Sequence, residues 1–117
     1  MKLAIVGSRS FTDYDFFKHE IETFIFENKL EISTIISGGA RGTDSMAEIY
    51  AKERKIPIEI FLPDWDLHGK KAGYLRNIKI VDASDYVVAF WNGISAGTKH
   101  SIDIAKQKEK KLKIIYI

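Results

Sequence analysis

Ser33-Thr34-Ile35-Ile36-Ser37-Gly38-Gly39-Ala40-Arg41-Gly42-Thr43-Asp44 runs from a β-branched segment through three glycines into a stretch of helical character. Ser33–Ser37 reads as a strand, because β-branched side chains suit a pleated, buried surface. Thr43–Lys55 reads as a helix with Met46, Ala47 and Tyr50 on one face. A strand-to-helix turn does not need three glycines. They permit a nest of backbone N–H groups at a helix amino end, which attracts an anion through aligned dipoles. The loop lacks the Gly-Lys-Ser/Thr ending of a Walker loop and the G-x-G-x-x-G spacing of a dinucleotide fingerprint. Phosphate or ribose binding is the chemistry expected here, with Asp44 placed to cap or support the helix start.

Outward from this unit the same alternation repeats. Lys2–Gly7 is a short apolar run ending in glycine and reads as a buried strand. Asp13–Asn28 reads as a helix, with Phe17, Ile21, Phe24 and Ile25 at helical spacing and Thr12 or Asp13 as its cap. Pro57–Leu62, Asp85–Trp91 and Leu112–Ile117 read as further strands, and Ala72–Asp82 and Thr98–Lys110 as further helices. The Val87-Val88-Ala89-Phe90 run suggests burial on both faces of the sheet. Strands separated by helices imply right-handed crossovers. The fold class is therefore α/β: a three-layer sandwich around a parallel sheet of about five strands in the order 3-2-1-4-5, with residues 1–117 as a single domain. That order opens a crevice between strands one and four at their carboxyl ends. Leu62–Lys71 is left as a long polar and aromatic loop, a lid or a partner surface.

The unusual residues follow the strands that border this crevice. After strand one comes Gly7-Ser8-Arg9-Ser10. Its glycine permits a close approach, its serines offer hydroxyls, and Arg9 can grip a phosphate with two parallel hydrogen bonds. After strand four comes Asn92-Gly93-Ile94-Ser95-Ala96-Gly97-Thr98, again glycine and hydroxyl residues leading into a helix. One such loop is an ordinary turn; two across one crevice suit a ligand with phosphate and ribose groups. Arg76 and Asn77 are expected to reach the crevice from the side. Trp65 and Trp91 read as packing residues, Trp91 lying near enough to the crevice to stack on a base. The candidate ligand-binding set is thus Gly7, Ser8, Arg9, Ser37, Gly38, Gly39, Ala40, Arg41, Gly42, Thr43, Asp44, Arg76, Asn77, Trp91, Gly93, Ser95, Gly97 and Thr98.

Composition narrows the function classes. With 117 residues and a hydrophobic fraction of 45%, the chain can bury one core without covalent staples. It has no cysteine, hence no disulfide, thiolate metal site or thiol nucleophile. This suits a cytoplasmic address. Met1–Gly7 is too short an apolar run for a signal peptide, and no stretch approaches the ~20 apolar residues of a membrane span. No His/Asp/Glu cluster has metal spacing, so neither a metal nor a cofactor is expected. The lysines at 106, 108, 110, 111 and 113 read as a solvated helix end. With a net charge of +2, nucleic acid is not expected as a partner, because single-strand binding normally rests on a basic groove.

The motifs together resemble the YspA-like branch of the SLOG superfamily, which also holds the DprA/Smf core domain and the LOG-type phosphoribohydrolases. The matching residues are Gly7-Ser8-Arg9, Ser37–Asp44 with Ala47-Glu48, Gly69-Lys70-Lys71-Ala72-Gly73 with Arg76-Asn77, and Phe90-Trp91-Asn92-Gly93 with Ser95 and Gly97-Thr98. The resemblance implies a Rossmann-like fold, nucleotide-derived ligands and pairing into a homodimer or higher oligomer. Arg76 matches the arginine of the LOG enzymes, but the position of their motif glutamate holds His100. Cleaving an N-glycosidic bond builds an oxocarbenium-like centre, which a carboxylate stabilises and a cation opposes. LOG-type release of a base is therefore not expected. The leading expectation is binding, sensing, processing or sequestering of a nucleotide-derived ligand. The alternatives are an N-glycosidase or nucleotide hydrolase using Asp44 or Glu48, and DprA-like binding of single-stranded DNA.

Overall fold

The computed structural model describes all 117 residues, Met1–Ile117. Five parallel strands, β1 (Lys2–Gly7), β2 (Thr34–Ser37), β3 (Ile58–Ile60), β4 (Tyr86–Trp91) and β5 (Lys111–Tyr116), form one sheet in the order β3-β2-β1-β4-β5. The helices are α1 (Tyr14–Glu27), α2 (Thr43–Glu53), α3 (Trp65–His68), α4 (Ala72–Ala83) and α5 (Ala96–Gln107). This is the Rossmann-like α/β architecture, with the strand order read from the sequence.

Period-two alternation on the central strands sorts the core into two layers. Leu3 and Ile5 of β1 and Val88 and Phe90 of β4 join Phe17, Ile21 and Phe24 of α1 and Met46, Ala47 and Tyr50 of α2. Ala4, Val6, Val87 and Ala89 point the other way, onto Ile80 and Val81 of α4 and Ile102, Ile104 and Ala105 of α5. Phe17 and Phe90 stack with ring centroids 5.0 Å apart. Truncating a buried phenylalanine to alanine costs about 3–5 kcal/mol, so these rings anchor the first layer. Both β1 and β4 are buried on both faces, which explains their unbroken apolar runs.

The differences from the sequence reading lie at the β3 edge and at α5, which runs Ala96–Gln107 rather than Thr98–Lys110 and so takes Gly97 and Thr98 into its first turn. Strand β3 is shorter than Pro57–Leu62, because Pro57 has no N–H to donate and Pro63 follows closely. The expected loop at Leu62–Lys71 holds the one-turn helix α3 and a 3-10 turn, Gly69–Lys71. Asp64 caps α3 by accepting the Leu67 N–H at 3.0 Å. No helix is long and apolar enough to cross a membrane.

Candidate functional site

Three chain segments meet where β1 and β4 part. The Ser8 carbonyl is their junction: it accepts the Thr43 hydroxyl at 2.9 Å and the Thr43 N–H at 3.2 Å, while the Ser8 N–H donates to the Phe90 carbonyl at 3.2 Å. The glycine loop after β2 is thereby tied to the loop after β1. Gly42 opens α2 at φ +71°, and a side chain there would collide with the Arg9 carbonyl. Ala40 closes the loop: its N–H donates to Asp44 Oδ2 at 3.1 Å and its carbonyl accepts the Ser45 hydroxyl at 3.1 Å. After β4, Asn92 Oδ1 accepts the N–H groups of Ile94 at 2.9 Å and Ser95 at 2.8 Å, an Asx turn that aims the amino end of α5. The cap position of α5, Ser95, makes no capping bond; its hydroxyl pairs with that of Thr98 at 3.2 Å. The first N–H groups of α5 are left for another acceptor.

These loops surround a cavity of about 390 Å³ at the carboxyl edge of the sheet. Of the expected residues, Gly7, Ser8, Arg9, Gly38, Ala40, Arg41, Asp44, Arg76, Asn77, Ser95, Gly97 and Thr98 line it. The others lie elsewhere. Thr43 and Gly42 are buried builders of the loop junction. Gly39 lines a neighbouring cavity, and Gly93 has open space around its Cα. Glu48 is absent from the lining. Ser37 Oγ is buried with no hydrogen-bond partner of ordinary geometry, yet it faces Asp44 closely enough to favour the charged carboxylate. Trp91, read as a packing residue near enough to the crevice to stack on a base, is a packing residue: its Nε1–H donates to the Ser95 carbonyl at 3.1 Å and its ring leans on Tyr116. Ser10 and Ser101 also line the cavity. Ser101 sits one helical turn beyond Gly97, a spacing that marks it as a neighbour on the same face.

The charges are concentrated. Arg76 Nη1 donates to the Gly38 carbonyl at 2.6 Å and its Nε to Asn77 Oδ1 at 3.0 Å. Asn77 in turn reaches the Gly97 carbonyl at 3.4 Å and His100 Nδ1 at 3.3 Å, bridging α4 to α5. Burial pushes the Arg76 pKa down, Asp44 offsets this, and Arg9 adds to it. Burial pushes the Asp44 carboxyl above its usual range, against the Ala40 N–H, Arg76 and Ser37, with Glu48 adding to the rise. None of Arg9, Arg41 and Arg76 is in a contact ion pair. His100, at the motif position discussed above, packs edge-on against Tyr74 and lies outside the cavity lining; burial lowers its pKa. No group of three or more His, Cys, Asp or Glu side chains is arranged to hold a metal ion.

A second cavity of about 630 Å³ adjoins the first and shares Arg9, Gly38, Ala40, Arg41 and Arg76 with it. Its remaining wall is Gly39, Leu62, Pro63 and Trp65. Trp65, read from the sequence as a packing residue, is instead 54% exposed. The signal was its place two residues after Pro63 in a polar segment with no hydrophobic period.

Residues 1–68 match the model of the family described as YspA, cpYpsA-related SLOG family. The Gene 61 protein of Mycobacterium phage D29 is 40% identical over 79 residues, covering 62% of this chain and 63% of that protein. Among solved structures, DNA processing protein A of Streptococcus pneumoniae superimposes with a TM-score of 0.76 at 19% identity, over 97% of this chain and 49% of that one. DNA processing protein A of Helicobacter pylori, solved for its single-stranded DNA binding mode, gives 0.72 at 22% identity, over 97% and 64%. The chain spans less than two thirds of each of these proteins. The likeness to the solved structures is one of fold. It also corrects one expectation: nucleic acid is not set aside as a partner, since a protein of this architecture binds single-stranded DNA. The physical reason is that net charge averages over the whole surface, whereas Arg9, Arg41 and Arg76 are gathered at one crevice.

Proposed function

From the premise that this chain belongs to the YspA, cpYpsA-related SLOG family, we propose that its carboxyl-edge cavity binds the phosphate of a nucleotide-derived ligand. One observation carries the reading. Arg9, Arg41 and Arg76, none in a contact ion pair, line one cavity with Ser95, Gly97 and Thr98 at the uncapped amino end of α5. Helix amino ends and free guanidinium groups both favour an anion. Ser8, Ser10, Ser95, Thr98 and Ser101 supply hydroxyls around the same space. The phosphate can belong to a free nucleotide or to a strand of nucleic acid, as in the neighbour that binds single-stranded DNA.

The test is affinity for 5′-mononucleotides and for a short oligothymidylate in Arg9→Ala, Arg76→Ala and Gly97→Val. A charge-assisted bond contributes about 1.5–3 kcal/mol, so loss of either arginine should weaken binding roughly 10- to 150-fold. Gly97→Val fills the space in front of α5 and should weaken binding further. Parent-like affinity in all three folded variants would place the site elsewhere.

A second reading, hydrolysis of the ligand, rests on Asp44. It is the carboxylate of the cavity wall, and its burial favours the protonated form that a general acid requires. Release of base from nucleoside monophosphates, abolished in Asp44→Asn without loss of fold, is the result that would establish it. The binding reading expects no release, since the motif position of the LOG glutamate holds His100 and Glu48 lies outside the cavity.

A further inference from the structure

The second cavity is used by nothing described so far. One wall is the arginine-bearing loop edge and the other is apolar: Leu62, Pro63 and Trp65. Leu62 is 70% exposed and Trp65 54%, although burying either would have been favourable. Asp64 holds this segment in shape through the α3 cap. The indole rests near Gly73 of α4, where a Cβ would still be 3.7 Å from Trp65 Cη2. An aromatic ring is thus presented at the border of a positively charged cavity rather than folded away.

We propose that this cavity is a nucleobase subsite, in which the base of a ligand stacks on Trp65 while its phosphate sits in the adjoining cavity. The proposal rests on the phosphate reading above and deepens it. Its argument is continuity. Arg9, Arg41 and Arg76 line both spaces, so a group attached to a phosphate held at the glycine loops is delivered to the apolar wall. The volumes, about 390 and 630 Å³, each fall within the usual range for small-molecule sites. Aromatic stacking beside a cationic groove is the pairing that single nucleotides and single strands share.

Trp65 and Trp91 are the two tryptophans of the chain, so a Trp91→Phe background makes Trp65 the sole indole reporter. Ribose 5-phosphate, the four 5′-mononucleotides and a short oligothymidylate are titrated into this protein and into the same protein carrying Trp65→Ala, with fluorescence and calorimetry as readouts. A mononucleotide or the oligothymidylate is expected to quench Trp65 and to bind roughly 5- to 150-fold more tightly than ribose 5-phosphate. Trp65→Ala should remove that advantage and leave ribose 5-phosphate affinity unchanged. Quenching by a mononucleotide identifies a free nucleotide as sufficient; quenching by the oligothymidylate alone identifies a strand as the source of the base. Equal affinity for ribose 5-phosphate and every base-bearing probe would overturn the base subsite while sparing the phosphate site. Failure of all the probes to bind the chain with both tryptophans in place, followed by calorimetry, would overturn both.

Discussion

A methyl group on Gly38 would stand 2.7 Å from Arg76 Nη1 and 3.0 Å from Asp44 Oδ2. The opposite charges of the cavity wall therefore face each other across a residue with no side chain. Gly38→Ala should displace Arg76 and lower phosphate affinity at least as much as Arg76→Ala, whereas Gly97→Ala, with nothing within 4 Å of the new carbon, should leave the fold intact. Thermal melts alongside calorimetric titration separate the two effects.

Asp44 makes a pH-dependent prediction at the same scale. Its pKa is higher in the fold than in the unfolded chain, with burial as the main cause. Its contribution to stability is then fully present below the unfolded value of about 3.9 and is lost as pH rises through the folded value. Asp44→Asn should raise the melting temperature at pH 7, and the gain should shrink toward pH 3. The anion site should follow: phosphate affinity falls as pH rises and Asp44 ionises, and Asp44→Asn flattens the profile. A variant that is less stable at pH 7 than at pH 3, relative to the parent, would contradict this account. The residues of the cavity wall were largely legible in the sequence because glycine, hydroxyl and arginine clusters after strands mark them directly. Trp65 was not: it lies in a polar segment without a hydrophobic period, and only the third dimension leaves it at a cavity rim, whereas Trp91 packs as its strand position implied, bonded to Ser95.

Among the elements, the start of α2 holds the site together. Thr43 is buried, and its hydroxyl ties the helix to the Ser8 carbonyl. Thr43→Val keeps the shape and removes that bond, so it should cost about 0.5–1.5 kcal/mol of stability in a denaturant melt. It should also weaken phosphate binding, because the two loops are no longer clamped. An unchanged affinity would mean that the loops keep their spacing without the clamp. The central elements were readable for a physical reason: β1 and β4 are buried on both faces, and α1 and α2 carry one apolar stripe each. The edge was harder. The four-residue α3 has no hydrophobic period to detect, and so short a helix depends on its Asp64 cap and on tertiary contact.

At the scale of the whole molecule, a charge of +2 describes the surface poorly. Arginines collect at the crevice while lysines gather at the end of α5 and on β5, so the field is uneven where the average is mild. Self-association is a further proposal here. α1 and α2 expose Phe26 and Ile49, and light scattering at micromolar concentration is expected to report a dimer or larger species; a monomer contradicts it.

The most direct measurement is an amide-resolved NMR titration of this 13.4 kDa chain with a 5′-mononucleotide and, separately, with a short oligothymidylate. The account predicts saturable shifts concentrated at Gly7, Gly38, Ala40, Gly97 and Thr98, whose backbone surrounds the cavity. Shifts centred instead on the lysine-bearing end of α5 at Lys106 and Lys108, or no saturable shift with either probe, would contradict it.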